Sequence, residues 1–263
     1  MNLEPTGERM IIEHYQSSSQ DRVIYLLHVA TYEFAQKFTQ AKRVLDFGCG
    51  SGYGSAEIAK TEKTVTAVDV ADEAIAHARQ SFPRDNLNFL VIDPAQPLPF
   101  ADASFDVVLS FQVFEHVSDT SLYLSEIRRV LTQDGQLILV TPNRSTRLLP
   151  FQRPWNRWHV NEYNERQLSE MLAHHFDRVQ IMGMSGKLEM IEIETRRCNR
   201  LKWMMLPLTL PFIPDQLRIA GLNFVHRIRG NRPAKPCESS FTSADVSIAL
   251  HAAPSVNLVA VAS

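Results

Sequence analysis

The sequence predicts an α/β fold: a doubly wound, mostly parallel sheet of seven strands, with an insertion before the last strand. Three observations predict it. Short apolar, β-branched runs alternate with helical stretches from residue 44 to residue 182, the pattern of a parallel sheet covered on both faces. The first run, RVLDF, leads directly into a glycine-rich turn. The second, TVTAVD, ends on an acidic residue, Asp69. The chain has 263 residues, enough for one such domain with an insertion.

Residues 22–38 place Val23, Leu26, Leu27, Ala30, Phe34 and Phe38 on one helical face, so residues 1–40 are expected to form an N-terminal lid and helix. After RVLDF and the glycine turn, residues 55–60 are expected to be helical. TVTAVD is the second strand, and Asp72 is placed to cap a helix that turns Ile75 and Ala78 inward. LNFLVID and FDVVLSF are the third and fourth strands, separated by the proline-rich loop PAQPLPFADAS. Asp119 is placed to cap a helix carrying Leu124, Ile127, Val130 and Leu131, which QDG is expected to break. QLILVTP is the fifth strand. Residues 164–174 read as a helix with Asn164 and Gln167 at capping-box positions. RVQIMG is the sixth strand and VNLVAVA the last. A single domain is expected, with a core over 41–183, an insertion or cap over 184–250 and the last strand within 251–263.

Hydrophobic residues make up 44% of the chain and charged residues 21%, the balance of an ordinary globular protein. The net charge of -2 gives no sign of a nucleic-acid partner. Cys49, Cys198 and Cys237 are too few and too far apart for a disulfide framework or a zinc site, and they fit a reducing cytosol. The N-terminus has no secretory pattern, and no uncharged apolar run is long enough to span a bilayer. A cytoplasmic location is expected, with association to a membrane surface left open.

DFGCGSGYG places Gly48, Gly50 and Gly52 between the first strand and the next helix. Glycines there admit positive φ and close approach of a ligand, while the helix start supplies N–H donors. Parallel sheets bind ligands at the carboxyl ends of their strands, and Asp69 ends the neighbouring strand, where a carboxylate accepts from ribose hydroxyls. A nicotinamide-dependent oxidoreductase would use a similar turn. Its helix start wants glycine or alanine where this chain has Tyr53, and Asp46 disfavours a pyrophosphate. Asp46 suits a cationic ligand instead, an amino group or a sulfonium.

VLDFGCGSGYG resembles the first motif of class I S-adenosyl-methionine-dependent methyltransferases, and AVD resembles their acidic second-strand end. VIDPAQPLPFADASFDVVLSFQVFEHVSD and RVLTQDGQLILVTPN resemble their third to fifth strands. HVNEYNERQLSEML is similar to the next helix in the subgroup that includes ubiquinone and menaquinone biosynthesis methyltransferases. The resemblance covers residues 40–183 and implies a Rossmann-like methyltransferase fold that takes S-adenosyl-methionine and releases S-adenosyl-homocysteine. It implies that the backbone through Gly48, Cys49, Gly50 and Gly52 lies against the methionine part of the cofactor, with Asp46 holding that end. Asp69, with Val70 beside it, would bind the ribose, and Asp93 and Pro94 the adenine. Ser110, Phe111 and Gln112 would line the floor under the sulfonium. Asp93 also reads as an ordinary strand-end turn.

The implied reaction is methyl transfer to a small-molecule, saccharide or lipid-type acceptor, to oxygen rather than nitrogen; a binding protein without catalysis is the alternative. His116 is the candidate general base, against a purely structural role in its loop. Some relatives carry a Glu three residues before the Glu-His pair and a later His, and bind a divalent ion. Here Gln112 replaces that first carboxylate, so no metal is expected at Gln112, Glu115, His116 and His159. Glu115, Trp155, Trp158 and His159, together with His14 and Tyr15 in the N-terminal lid, are candidates for the acceptor side, each with a competing packing role. The segment 196–232 mixes Arg196, Arg197, Arg200, Lys202, Arg218, Arg227, Arg229 and Arg232 with Trp203, Met204, Met205, Leu206 and Phe212. It reads either as a helical cap over the acceptor pocket or as a segment that contacts an anionic membrane surface.

Overall fold

The sheet order explains why a ligand crevice opens at β1. Residues 18–229 and 240–263 are described in the computed structural model; His14, Tyr15 and Cys237 lie outside them. In chain order the elements are α1 (Ser19–Thr39), β1 (Arg43–Phe47), α2 (Tyr53–Ile58), β2 (Thr64–Asp69), α3 (Asp72–Ser81), β3 (Leu87–Val91), β4 (Phe105–Phe111) and α4 (Thr120–Val130). Then come β5 (Leu131–Pro142), α5 (Arg144–Arg147), α6 (Glu165–Ala173), β6 (Val179–Gly186), α7 (Leu188–Met204), α8 (Asp215–Arg229), β7 (Val246–Ala249) and β8 (Asn257–Ala262). The strands lie in the order β3-β2-β1-β4-β5-β8-β6-β7. β1 to β5 pair in parallel, and β8 runs antiparallel between β5 and β6. The chain winds outward from β1 to β3, returns to β4 and winds the other way, so the ends of β1 and β4 flank the switch point.

Alternation along each central strand sends neighbouring residues to opposite faces. Val44, Val107, Leu109, Ile138 and Val140 join α1, α2, α3 and α7 on one side. Leu45, Val108, Leu137 and Leu139 join α4 and α6 on the other. Both faces are buried, so the strands read as continuous apolar runs. A third cluster, Leu201, Met205 and Leu222, lies between α7 and α8.

All seven expected strands are present. The eighth, β7, pairs antiparallel with the outer edge of β6 inside the stretch read as the insertion. Two local expectations are corrected. Asp72 does not cap α3: the cap position is Ala71, without a side-chain acceptor, and Asp72 lies in the first turn, where its charge faces the helix dipole. QDG does not break the chain between α4 and β5. α4 ends at Val130, β5 starts at once, and Thr132–Gly135 are absorbed in a register shift against β4. Asp119 caps α4 by accepting from the Leu122 N–H, and Asn164 and Gln167 form the capping box of α6.

α1 lies directly on α2 because residue 54 has no side chain. A Cβ on Gly54 would stand 2.0 Å from Cζ of Tyr32, inside a buried contact. Gly54→Ala is therefore expected to cost about 1–3 kcal/mol through overpacking. Urea unfolding measures it; an unchanged midpoint would mean that α1 can lift off α2 freely.

Candidate active site

The glycine turn is held in shape from below. Gly48, Gly50 and Gly52 have φ of +87°, +54° and +82°, conformations that cost other residues about 1 kcal/mol or more each. The Gly48 and Cys49 N–H groups donate to the Val68 carbonyl at 2.8 and 3.0 Å. Asp69, half-buried, takes the Gly50 N–H at 2.9 Å on one oxygen and the Ala71 N–H at 3.0 Å on the other. Val70 beside it is exposed. A Cβ on Gly50 would meet no atom within 4 Å, so the space above the turn is open.

Under the turn sits Asp46, buried at the end of β1. One of its oxygens accepts from Ser55 Oγ at 2.6 Å and from Tyr32 Oη at 3.2 Å. The other, Oδ1, is buried with no partner among the described residues. Burial raises the carboxyl to about 6, against the pull of the Ser55 and Tyr32 hydrogen bonds. A buried carboxylate oxygen without a donor is costly, and an ammonium or sulfonium brought beside it relieves that cost. Burial, then the Asp46 charge, keeps the Cys49 thiol protonated.

Three site residues that sequence reasoning missed come from α1. Tyr32 donates to Asp46 and meets Phe111 edge-on, with ring centroids 4.9 Å apart. His28 bonds the Tyr53 hydroxyl through Nδ1, and burial lowers its pKa to about 4, so it stays neutral. Thr31 and His28 both line the cavity described below. Their signal was visible as polar residues beside the apolar stripe of the first helix.

β4 ends in a sharp exit. Ser110 Oγ bonds Tyr123 Oη at 2.9 Å, Phe111 is buried, and Gln112 adopts φ +57°, a left-handed conformation rare outside glycine. The Gln112 N–H still donates to Val140 at 2.8 Å, so the chain turns out of the sheet while remaining tied to β5. The glycine turn touches this exit: a Cβ on Gly48 would stand 2.3 Å from Val113 Cγ2. Asp93 and Pro94 are exposed beyond β3, and Asp93 Oδ1 accepts the Ala95 N–H at 2.9 Å, an Asx turn.

Glu115 and His116 follow in a single helical turn. Glu115 is buried, accepts from Thr141 Oγ1 at 2.9 Å, and its carboxyl is raised by that burial. His116 Nδ1 lies 3.0 Å from the Trp158 carbonyl, and His159 Nδ1 lies 2.8 Å from Glu162 Oε1. Because a carbonyl and a carboxylate only accept, both histidines carry their proton on Nδ1, leaving Nε2 as the basic nitrogen. Glu162 also takes Arg147 Nε at 2.9 Å. Burial alone would raise Glu162; the Arg147 charge and the His159 hydrogen bond overcome it and hold the carboxyl at about 2. Glu115, His116 and His159 each bring a ligand atom to within 4.8 Å of the others. Two imidazoles with Nδ1 fixed by an acceptor, beside one carboxylate, are a chemically suitable set for a divalent ion.

A cavity of about 390 Å³ opens beside these groups, lined among others by Gln112, Arg147, Arg157, His159, Glu194 and Arg197. Its far wall is built by α7 and α8. Trp155 and Trp158 also line it. Trp155 stacks under Arg147, whose guanidinium lies 4.1 Å from the ring centroid, and donates Nε1–H to the Arg147 carbonyl at 3.2 Å. Arg197 is paired with Glu194 at 2.6 Å. Both Glu194 and Glu162 were missed in the sequence: one lies in a stretch that matches no motif, the other within a helix lead-in.

Residues 45–139 match a family model described as a methyltransferase domain. Over these residues the chain is similar to S-adenosyl-methionine-dependent methyltransferases. It is 37% identical over 174 residues to a protein of Mycobacterium tuberculosis named a probable S-adenosylmethionine-dependent methyltransferase, covering 65% of this chain and 60% of that one. It is 35% identical over 109 residues to a ubiquinone biosynthesis O-methyltransferase of Caulobacter, covering 41% and 43%. The YcgJ protein of Bacillus subtilis has the same fold, with a TM-score of 0.54 at 18% identity over 89% of this chain and 97% of that one. The chain thus spans about 60% of the length of the Mycobacterium relative.

The linked side chains Arg147, Glu162 and His159 fix the cavity wall. Glu162→Gln removes the only carboxylate ion-paired with Arg147 among the described residues and leaves a buried cation, an expected loss of about 3–5 kcal/mol. Denaturant unfolding reads it; a loss under about 1 kcal/mol would show that water replaces the carboxylate.

Proposed function

We propose that the chain transfers the methyl group of S-adenosyl-methionine to an oxygen of a small-molecule, saccharide or lipid-type acceptor. One observation carries the reading: the glycine turn and the cavity meet at the end of β4, where Gly48 abuts Val113 and the preceding residue, Gln112, lines the cavity. A ligand on the turn therefore faces whatever the cavity holds. The preference for oxygen is supported by the name of the Caulobacter relative.

The residues fit the cofactor. Asp46 Oδ1 offers an unused buried acceptor to a cationic group, Gly50 leaves open space above the turn, and Asp69 retains lone pairs for two ribose hydroxyls. Asp93 and Pro94 follow β3, the strand beside β2, and are assigned the adenine end. When bound, S-adenosyl-methionine supplies a methyl group already activated by the sulfonium. The protein's part is alignment, desolvation and proton removal. His116 Nε2 takes the acceptor proton, with Nδ1–H anchored on Trp158. Trp155 and His159 line the acceptor cavity, and Glu115 lies buried beside His159. A non-catalytic binding protein would bind the cofactor and yield no S-adenosyl-homocysteine with any acceptor. A nicotinamide oxidoreductase would bind its dinucleotide in calorimetry.

Asp69→Ala is expected to weaken S-adenosyl-methionine binding by about 1–3 kcal/mol, since the ribose loses a charged partner and the turn loses its brace. Calorimetry checks this, and unchanged affinity would place the cofactor elsewhere.

A second reading is favoured by the Glu115, His116 and His159 cluster: a divalent ion held there grips the acceptor's oxygens. His116→Ala combined with chelation separates the two. With His116 as base, the variant loses about 100- to 10,000-fold in kcat at unchanged cofactor affinity, and chelated wild type keeps its turnover. With an ion, chelation itself abolishes turnover.

A further inference from the structure

α7 and α8 carry more apolar surface than a cap uses. Their inner faces close the cavity: Leu201, Met205 and Leu222 are buried together, with Trp155, Leu208 and Val225 packed against them. Arg218 is also held inside, donating to the Pro154 carbonyl at 3.0 Å. Gly221 fixes the orientation of α8, because a Cβ there would stand 2.8 Å from Leu208 Cδ2. The opposite side of α8 then faces solvent, and it is not polar. Leu217, Ala220, Phe224 and Ile228 recur at helical spacing along it, with Leu217 64% and Phe224 63% exposed. The connection from α7 adds Phe212 at 75% exposed, and the end of α7 adds Trp203 and Met204. Trp203 shares its stripe on α7 with Arg200 and Arg196, one and two turns back, both exposed.

Charge supplies an independent observation. Residues 196–232 hold eight Arg and Lys residues against the single Asp215, a balance of +7 in a chain whose net charge is -2. Arg197 and Arg218 are turned inward and paired, whereas Arg196, paired with Glu192, and Arg200 and Arg227 are exposed around the apolar residues.

We infer that the outer face of α7 and α8 docks reversibly on an anionic lipid surface. Aromatic and aliphatic side chains rimmed by arginines suit the boundary between headgroups and acyl chains, where the cations meet lipid phosphates. A second copy fits worse, since it would set one positive segment against another. The cap thus has two working faces, one over the cavity and one on the bilayer. The inference uses residues outside the reaction site and stands apart from the proposed chemistry.

Flotation of the full chain with vesicles tests it. Binding is expected to vesicles of phosphatidylglycerol and phosphatidylcholine, not to phosphatidylcholine alone. It is expected to fall as salt rises toward about 1 M, where the screening length shrinks to about 3 Å. Leu217→Ser with Phe224→Ser, and separately Arg200→Glu with Arg227→Glu, are each expected to lower partitioning at least about ten-fold at an unchanged thermal midpoint. No flotation with anionic vesicles at low salt overturns the inference, as does equal binding to neutral vesicles. Wild-type partitioning of both variants overturns it too. So does sedimentation in which the wild type self-associates and the serine variant does not, because a second copy then covers the face. If the serine variant unfolds, the charge-reversal pair and the salt dependence decide.

Discussion

Between β1 and α2 the chain reverses over Gly48–Gly52, and three of those residues are left-handed. Nothing in a glycine-rich segment holds such a shape by itself, since glycine loses more backbone freedom on ordering than any other residue. The Asp69 carboxylate holds it by accepting from Gly50 on one side and Ala71 on the other, so one side chain fixes the exits of both β1 and β2. The carbonyl of the residue before it, Val68, takes two further N–H groups. The remainder of the site depends on that brace: Val113 abuts Gly48, the exit of β4 follows, and the cavity begins at Gln112.

Buried charge then shapes the acceptor side. Arg147 and Glu162 are both buried, and Arg197 and Glu194 nearly so, in a wall that a simple apolar cap could have filled more cheaply. Such pairs are weak sources of net stability and strong sources of geometry, because each partner must stay where the other can reach it. Here they tie α5, the loop before α6 and α7 to one another through Trp155, which lies under both guanidiniums. His159 is oriented as a by-product, since Glu162 serves it and Arg147 at once.

The parallel strands were legible because burial on both faces writes them as short, mostly apolar or β-branched runs, as in TVTAVD and FDVVLSF. Asp46, Asp69 and the three glycines were legible because backbone conformation and strand-end position restrict residue choice there. β7 was not: VSIA alternates half-buried with exposed residues at a sheet edge and is set by its partner β6 rather than by its own pattern. Asp72 was taken for a cap because nothing local reveals that Asp69 already sets the turn before α3. Gln112 gave no sign of its left-handed backbone, with which the chain leaves the sheet while its N–H stays bonded to Val140. Glu194 and Arg197 lie on a helix whose pattern marks burial and not pairing.

Glu115 separates the two chemistries available beside the cavity. The fixed tautomers of His116 and His159 present basic Nε2 atoms, and that arrangement serves proton uptake and ion binding equally well. The carboxyl between them does not. Without a cation, burial favours its neutral form, and Thr141 donates to one oxygen. With the proton on Glu115, the imidazoles of His116 and His159 are the bases beside it. A divalent ion would reverse that balance, because its charge stabilises a carboxylate far more than burial penalises it, and the imidazoles would become ligands instead of bases. The protonation of Glu115 therefore follows whether an ion is bound, and its carbonyl stretch reports which without any acceptor being present.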